Sequence, residues 1–162
     1  RDRVMSPTLP LYSEARAIQK SSFYVSIPSW SRKQVSKNEE KVFYRLNVIL
    51  RDGRKWSIEK RYSALYELRW SFPMGSLNHL KHSFPVKVIL SLNPSNEQYE
   101  QRRLSLDQWI REVCLDEKCM SDAYIIGLLE KFLEVDKHEL ADNALFPIIN
   151  YAEWTIIPSH AL

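Results

Sequence analysis

Apolar and polar residues alternate along the first third of the chain, which is the pattern of β-strands with one buried face. Residues 23–28 form the first such stretch, and the polar residues 29–40 that follow are interpreted as a long loop. The clearest strand spans 42–50, and an Asp-Gly turn signal at 52–53 leads into a third strand over 54–59. Three successive strands joined in this way predict an antiparallel meander.

After the strands, apolar residues recur at helical spacing. Leu65, Leu68 and Phe72 share one face of a predicted helix, and Ser63 is its expected N-cap. An irregular stretch over 74–95, interrupted by prolines, separates this helix from the next one. A connection of that length inside a compact domain is usually functional or mobile.

The remainder of the predicted domain is helical. One helix is expected from about Asn96 to Cys114, a third helical stretch starts at Ser121, and a fourth spans 128–135, with Gly127 separating the last two. Strands followed by helices are typical of an α+β fold. The sequence therefore predicts a three-stranded antiparallel meander packed against a helical subdomain of three to four helices.

The same pattern suggests domain boundaries. Residues 1–21 lack periodicity and are interpreted as an N-terminal lead-in, residues 22–136 as the folded domain, and residues 137–162 as an apolar C-terminal extension. The extension is too rich in large apolar residues for a disordered tail. It either folds back on the domain or serves as a docking segment for a protein partner or a second copy of the chain.

Composition excludes several classes of protein. A chain of 162 residues has the size of one domain, and its net charge of +3 is low for a protein that coats nucleic acid. The aromatic residues fall mostly on apolar faces, which further argues against a nucleic-acid partner. No apolar run is long enough to span a bilayer and no signal peptide is visible, so we expect a cytoplasmic domain.

The sequence also lacks the motifs of an enzyme. Its four histidines are scattered without metal-ligand spacing, and its three glycines are too few for a phosphate-cradling loop. Cys114 and Cys119 are predicted to be reduced thiols and not a metal site. We therefore predict a non-catalytic domain that needs no metal and no cofactor.

Basic and aromatic residues at separate places are candidates for a binding site. Arg61 and Tyr62 lie at the junction of the third strand and the first helix, where two rigid elements hold side chains in position. A guanidinium group can hold a phosphate with two hydrogen bonds, and an adjacent aromatic ring can lie against another ring. Lys87 is a third candidate, within the irregular stretch.

The fourth candidate is Arg102, in the second half of the chain. A helical projection places it inside the apolar stripe of the second helix, with Arg103 at the edge of that stripe. A charge on an inward face costs free energy unless a negative group pairs with it. Either a buried carboxylate or a bound anion could be that partner.

Three runs of sequence resemble the Phox homology, or PX, domain, of the kind found in sorting nexins. They are KRYSALYEL at 60–68, FPVK at 84–87 and RRLSLDQW at 102–109. Each run alone is a weak signal, whereas the ordered set is fairly specific and the resemblance covers roughly residues 22–136. It implies the α+β fold predicted above and a function in binding phosphoinositide lipids.

In PX domains that bind phosphatidylinositol 3-phosphate, four residues shape the headgroup pocket. The resemblance implies that Arg61 holds the 3-phosphate, Tyr62 packs against the inositol ring, Lys87 holds the 1-phosphate and Arg102 hydrogen-bonds the 4- and 5-hydroxyls. It also implies a peripheral location on endosomal membranes and a role in membrane trafficking and protein transport.

The residues next to Lys87 suggest a second contact with the membrane. Val88, Ile89 and Leu90 are three consecutive large apolar residues in the irregular stretch, and we expect them to form a membrane-insertion loop. Each would contribute about 1.5–3 kcal/mol if it were fully buried in the bilayer. The alternative is that these residues are buried beneath their own loop.

Other functions stay open at this stage. One is a PX-like protein-protein interaction module with weak or no lipid binding, which the apolar extension favours. Another is that the domain addresses a longer enzyme to its site of action. A third, binding of single-stranded nucleic acid, is disfavoured because the aromatic residues belong to apolar faces.

Overall fold

The computed structural model describes residues 22–86 and 93–138. Its sheet has three strands, β1 (Phe23–Ser36), β2 (Glu39–Leu50) and β3 (Lys55–Lys60), in the order β1-β2-β3 with antiparallel pairing throughout. The predicted meander is confirmed. The turn between β2 and β3 contains Gly53 with a positive φ of 94°, which accounts for the glycine at this position.

Three α-helices follow the sheet in the described part of the chain. They are α1 (Tyr62–Ser71), α2 (Asn96–Leu115) and α3 (Ala123–Phe132), and a short 3-10 turn follows each of the last two helices, at Cys119–Ser121 and Val135–Lys137. The predicted α+β fold is therefore confirmed with three α-helices. No helix in the described ranges combines the length and apolar character required to cross a bilayer.

The hydrophobic core lies between one face of the sheet and the three helices. Alternate residues of β1 and β2 belong to the core cluster, as their spacing predicts, and they meet the apolar stripes of the helices. Tyr24, Ser26 and Ile49, which lie between them, are buried as well. The principal buried side chains are Phe23, Val25, Ile27, Tyr44, Leu46 and Val48 from the sheet, and Leu65, Leu68, Leu106, Trp109, Ile110, Val113, Ile125 and Leu129 from the helices.

The long loop predicted over 29–40 is wrong, because β1 and β2 continue through it as a two-stranded ribbon. Ser36 pairs with Glu39 across a tight turn, and the ladder then runs back toward the core. Most of this ribbon is exposed, and Lys33 forms an ion pair with Glu59 of β3. The ribbon therefore needs no buried face, and its sequence lacks the alternation by which strands are recognised.

Two predicted helix boundaries are also wrong. Ser63 is not the N-cap of α1, since the helix begins at Tyr62 and Arg61 occupies the cap position without a side-chain hydrogen bond. Gly127 does not separate two helices, since α3 runs through it without interruption. The helix predicted over 128–135 belongs to α3 up to Phe132, after which Glu134 adopts a positive φ of 60° and ends it.

A bulge in β1 connects the sheet to α2. The register of β1 shifts between Ser26 and Ser29, around Pro28, whose nitrogen cannot donate to the ladder. The backbone of Ile27 is satisfied from α2 instead. Asp107 Oδ1 accepts a hydrogen bond from the Ile27 N–H at 2.7 Å, and Arg103 Nη1 donates to the Ile27 carbonyl at 2.7 Å.

Candidate functional site

The junction of β3 and α1 consists of a single residue. β3 ends at Lys60 and α1 starts at Tyr62, so Arg61 alone turns the chain, with extended backbone angles of φ −84° and ψ 160°. The Arg61 side chain is exposed. Within the described ranges, no hydrogen bond or ion pair attaches it to another residue, so its guanidinium is available to a ligand.

Tyr62 and Arg102 come together, although they are 40 residues apart in sequence. Arg102 Cζ lies 4.1 Å from the centre of the Tyr62 ring, which places the guanidinium in cation–π contact with that ring. The Tyr62 hydroxyl donates a hydrogen bond of 2.7 Å to the carbonyl of Pro85. Tyr62 therefore joins the start of α1 both to α2 and to the segment that leads toward position 87.

Phe84 anchors that segment to the core. Its ring lies 4.8 Å from the Trp109 ring in an edge-to-face arrangement, and 5.6 Å from the ring of Tyr62. Tyr66 completes the aromatic cluster at 6.2 Å from Phe84. Aromatic pairs at these separations are favourable beyond their buried area. The segment 84–85 is therefore held in a defined position beside the site.

Burial keeps the hydroxyl groups of Tyr44 and Tyr62, two neighbours of Arg102, in their neutral form. Burial raises the pKa of Tyr44 to about 12 and also raises the pKa of Tyr62, while the nearby positive charge of Arg102 opposes both shifts without cancelling them. Both hydroxyls are therefore protonated at neutral pH. The Tyr44 hydroxyl is buried, and the Arg102 guanidinium lies beside it.

A cavity of about 470 Å³ opens between the Pro85–Val86 segment and the first half of α2. Its described lining carries one positive side chain, Arg102, and one negative side chain, Glu97. The other polar lining residues are neutral: Ser95, Gln98, Gln101 and Ser105. A cavity of this volume fits a small ligand, and its polar lining suits one that carries hydroxyl groups and negative charge.

The start of α2 is rigid because a capping box fixes it. Ser95 Oγ accepts a hydrogen bond from the Gln98 N–H at 3.2 Å, and the Gln98 side chain accepts from the Ser95 N–H at 2.8 Å. These contacts use polar groups that also line the cavity. Gln101 and Ser105 are lining side chains outside this capping box.

The expectation that Arg102 is the inward-facing arginine is wrong, because α2 buries Arg103 instead. Arg103 is only 5% exposed, and besides the Ile27 carbonyl it contacts Glu100, with Nε 3.0 Å from Oε1. Arg102 is half-buried and faces Tyr62. The bulge in β1 explains this orientation, since its unpaired backbone groups need a donor and an acceptor from α2.

The structure thus locates three of the four predicted headgroup residues. Tyr62 and Arg102 are in contact, and Arg61 directly precedes Tyr62. Lys87 lies outside the described residues, as do Val88, Ile89 and Leu90 of the predicted insertion loop, the lead-in and nearly all of the C-terminal extension.

Sequence reasoning missed two features of the site. Glu97 was missed because acidic residues are common in the first turn of a helix, so its presence there does not indicate a binding site. The Pro85 carbonyl was missed because backbone acceptors leave no trace in a sequence. The resemblance to the FPVK run placed Pro85 near the site without assigning it a role.

Comparisons with known proteins agree on one family. The family model "PX domain" matches residues 48–136, which is more than half of the chain. Among solved structures, an X-ray structure of a designed CISK-PX domain superposes with a TM-score of 0.52, at 21% identity, over 64% of this chain and 94% of that chain. At this identity the likeness concerns the fold alone. No curated protein matches the chain.

Proposed function

The chain belongs to the PX domain family, and from that premise we propose that it recognises phosphatidylinositol 3-phosphate through Arg61, Tyr62, Lys87 and Arg102. Family membership makes it a phosphoinositide-binding module that associates peripherally with membranes, and PX domains are binding modules and not enzymes. The proposal adds the particular headgroup, the residues that hold it and a location on endosomal membranes, in membrane trafficking and protein transport.

The contact between Arg102 and Tyr62 is the observation that carries this proposal. It joins residues of two helices, and one of them, Arg102, lines a cavity of ligand size. A guanidinium and an aromatic face at 4.1 Å offer hydrogen-bond donors and a flat apolar surface side by side. An inositol ring presents the complementary groups, which are hydroxyls around its edge and C–H bonds on its faces.

Arg61 is suited to the 3-phosphate because it lies at the N-terminus of α1. The first N–H groups of a helix point outward, and the helix dipole favours negative charge there. Neither a side-chain cap nor an acidic residue in the first turn competes with an anion at this end of α1. The Arg61 guanidinium adds a charge-assisted donor at the same place.

Binding requires a short movement of Arg102 if the sugar uses the face of Tyr62 that the guanidinium now covers. The guanidinium then moves toward the edge of the sugar ring, where the 4- and 5-hydroxyls lie. Removing it from Tyr62 gives up a contact of about 0.5–1 kcal/mol. Two or more hydrogen bonds to hydroxyls offset that loss.

Apolar residues after the pocket supply the second part of the proposal. Val88, Ile89 and Leu90 insert into the bilayer while Lys87 holds the 1-phosphate, so that one surface makes both contacts. Val86, which precedes them, is 70% exposed, consistent with an apolar surface that continues toward the lipid. Headgroup binding and insertion then reinforce each other, because each holds the other at high effective concentration.

Arg61→Ala tests the proposal most directly. We expect recruitment to vesicles containing a few per cent phosphatidylinositol 3-phosphate to fall by about tenfold to a hundredfold, since the variant loses a charge-assisted phosphate contact of roughly 1.5–3 kcal/mol. The measurement is vesicle pelleting, with vesicles lacking this lipid as the baseline and circular dichroism as the test of folding.

Arg45→Ala is the matched control, because Arg45 is an exposed arginine on β2 whose guanidinium contacts Ser57 at 3.3 Å, outside the cavity. It should bind like the unmodified chain. Equal recruitment of the Arg61 and Arg45 variants would contradict the proposed headgroup site. Recruitment of the unmodified chain that is indifferent to the lipid would favour the alternative of a protein-protein interaction module.

A further inference from the structure

Three side chains that ligate metal ions meet at the C-terminal end of α2. His79 belongs to the turn that follows α1, whereas Asp116 and Cys119 lie in the connection between α2 and α3. The ligand atoms of the imidazole, the carboxylate and the thiol all lie within 4.8 Å of one another. Residues 22–86 and 93–138 contain no other such group of three.

Local contacts hold this cluster in place. Asp116 Oδ2 lies 2.8 Å from His79 Nε2 and accepts a hydrogen bond of 2.9 Å from the Cys119 N–H. Asp116 and Cys119 therefore converge from positions three residues apart, the spacing at which pairs of ligands share one zinc ion in many proteins. Cys119 is buried and His79 is exposed, so an ion can enter from the solvent side.

The types of donor indicate the class of ion. Calcium and magnesium prefer sites made of oxygen atoms alone. Sulfur together with imidazole nitrogen selects zinc and similar transition-metal ions. Bond lengths of about 2.0–2.3 Å place neighbouring ligands of a tetrahedral zinc ion about 3.3–3.7 Å apart. The ligand atoms of the observed cluster lie within 4.8 Å of one another, so binding requires side-chain rotations that draw them together.

We propose that His79, Asp116 and Cys119 bind a divalent cation of the zinc class, with a water molecule as the fourth ligand. A sulfur–metal bond forms, the imidazole binds in its neutral form, and the thiol proton leaves to solvent. That proton has to be displaced, because burial first and the adjacent Asp116 second raise the pKa of Cys119 to about 12.

This site is separate from the proposed headgroup pocket. Asp116 follows Arg102 by 14 residues along α2, which corresponds to about 20 Å at 1.5 Å per residue. A bound ion would fasten the turn after α1 to the connection between α2 and α3. Its function is then to stabilise the domain, and the proposal does not depend on lipid binding.

Cobalt(II) added to the full chain tests the proposal, because cobalt occupies zinc sites and reports its ligands. We expect a near-ultraviolet sulfur-to-cobalt charge-transfer band that zinc(II) abolishes by displacement. With zinc in hundredfold excess over its dissociation constant, the thermal unfolding midpoint should rise by about 5 °C or more. Absence of the band from the unmodified chain would overturn the proposal.

Matched variants assign the ligands. His79→Ala should weaken zinc binding at least tenfold, whereas His82→Ala should leave it unchanged, since His82 is a similarly exposed histidine that contacts Glu112 at 2.9 Å instead. Cys119→Ser should remove the charge-transfer band, and Cys114→Ser, which changes the other buried free thiol, should retain it. Equal zinc affinities of the His79 and His82 variants would overturn the assignment.

Discussion

Two consecutive arginines on α2 face different surroundings and carry different tasks. Arg103 is buried and holds the bulge of β1 through the carbonyl of Ile27, whereas Arg102 lies over the Tyr62 ring at the cavity. Successive residues on a helix differ by about 100° in direction, so neighbours of one chemical type can serve the fold and the site separately.

This difference predicts opposite effects of two neighbouring substitutions. Arg103→Ala should lower the free energy of unfolding by about 2–4 kcal/mol, because it leaves the Ile27 carbonyl without its donor in the interior and removes the partner of Glu100. Arg102→Ala should cost less stability than Arg103→Ala but at least tenfold in phosphoinositide affinity.

Urea denaturation and calorimetry with a soluble short-chain phosphoinositide measure the two effects. A large loss of stability in the Arg102 variant would show that Arg102 is a structural residue. Unchanged stability of the Arg103 variant would show that the bulge does not need its side chain.

Glu97 predicts selectivity against headgroups with additional phosphates, because it places a negative charge in the lining of the cavity. In Glu97→Gln, affinity for a bisphosphorylated headgroup should rise about fivefold relative to phosphatidylinositol 3-phosphate, which corresponds to about 1 kcal/mol for one partly screened charge. Calorimetry with short-chain lipids measures this ratio.

Glu130→Gln is the control for this change of charge, since Glu130 is exposed on α3 and does not line the cavity. An equal change of the affinity ratio in both variants would mean that overall charge, and not the position of Glu97, sets selectivity.

At the scale of single residues, the sequence predicts the types of residue in the site better than their orientations. It proposes Arg102 as a binding residue and assigns the inward-facing position to it, whereas the structure buries Arg103. The reason is that Arg103 is buried by a backbone carbonyl 76 residues away, and a helical projection contains only the helix's own residues. Pro28 is the one local signal of the bulge that demands this partner.

α3 contains a glycine in a position where most residues would serve better. Gly127 lies inside the helix on an exposed face, and an added Cβ would have no neighbour within 4 Å. Gly127→Ala should therefore raise the free energy of unfolding by about 0.5–1 kcal/mol, because alanine loses less backbone entropy in a helix. Thermal or urea unfolding measures the gain.

Gly75→Ala is the contrasting variant. Gly75 has a positive φ of 80°, a conformation that strains any residue with a side chain, so this substitution should destabilise the domain. A loss of stability in Gly127→Ala would instead imply that α3 is not continuous at that residue.

At the scale of elements, periodicity predicts well those segments that bury one face. Residues 44–48 of β2 and the apolar residues of α2 from Leu106 to Val113 follow the predicted spacing, since burial of one face imposes that spacing. The exposed ribbon of β1 and β2 shows no such apolar spacing, because its two strands are stabilised by the backbone hydrogen bonds between them. The prediction that Gly127 separates two helices is wrong for another reason. Glycine has a low helix propensity, but the residues on both sides of it pack against the core and keep α3 continuous.

For the whole molecule, ion pairs predict how stability depends on pH. Hydrogen bonds from Arg54, Arg103 and Lys60 lower the pKa values of three carboxyl groups, those of Asp52, Glu100 and Glu134 respectively. A carboxyl with a lowered pKa in the folded state binds fewer protons there than in the unfolded chain. Its contribution to the free energy of unfolding is therefore fully present above its ordinary pKa. That contribution is lost as the pH falls through the pKa that the group has in the folded state.

The urea midpoint of unfolding should accordingly stay constant from pH 7 to about pH 5 and decrease below it, since the ordinary pKa values of these groups are 3.8 and 4.5. Glu134→Gln removes one of the three groups and should lose less stability between pH 5 and pH 3. A midpoint that is constant down to pH 3 in the unmodified chain would contradict this expectation.

The fold of the whole molecule could be predicted from the order of its elements, whereas the site could be predicted only through the resemblance. Residues 62 and 102 share no local pattern, and their contact depends on how α1 and α2 pack on the sheet. The cluster of His79, Asp116 and Cys119 could not be predicted from a local pattern either, because its residues come from two connections that are distant in sequence.

The one-residue junction at Arg61 constrains the length of the chain as well as its composition. An inserted residue there would rotate every side chain of α1 by about 100° and shift it by about 1.5 Å along the axis. Tyr62 would then turn away from both Arg102 and the Pro85 carbonyl, even though every original amino acid were still in the protein. Spacing at this point thus determines the contacts of Tyr62 as much as the residues themselves do.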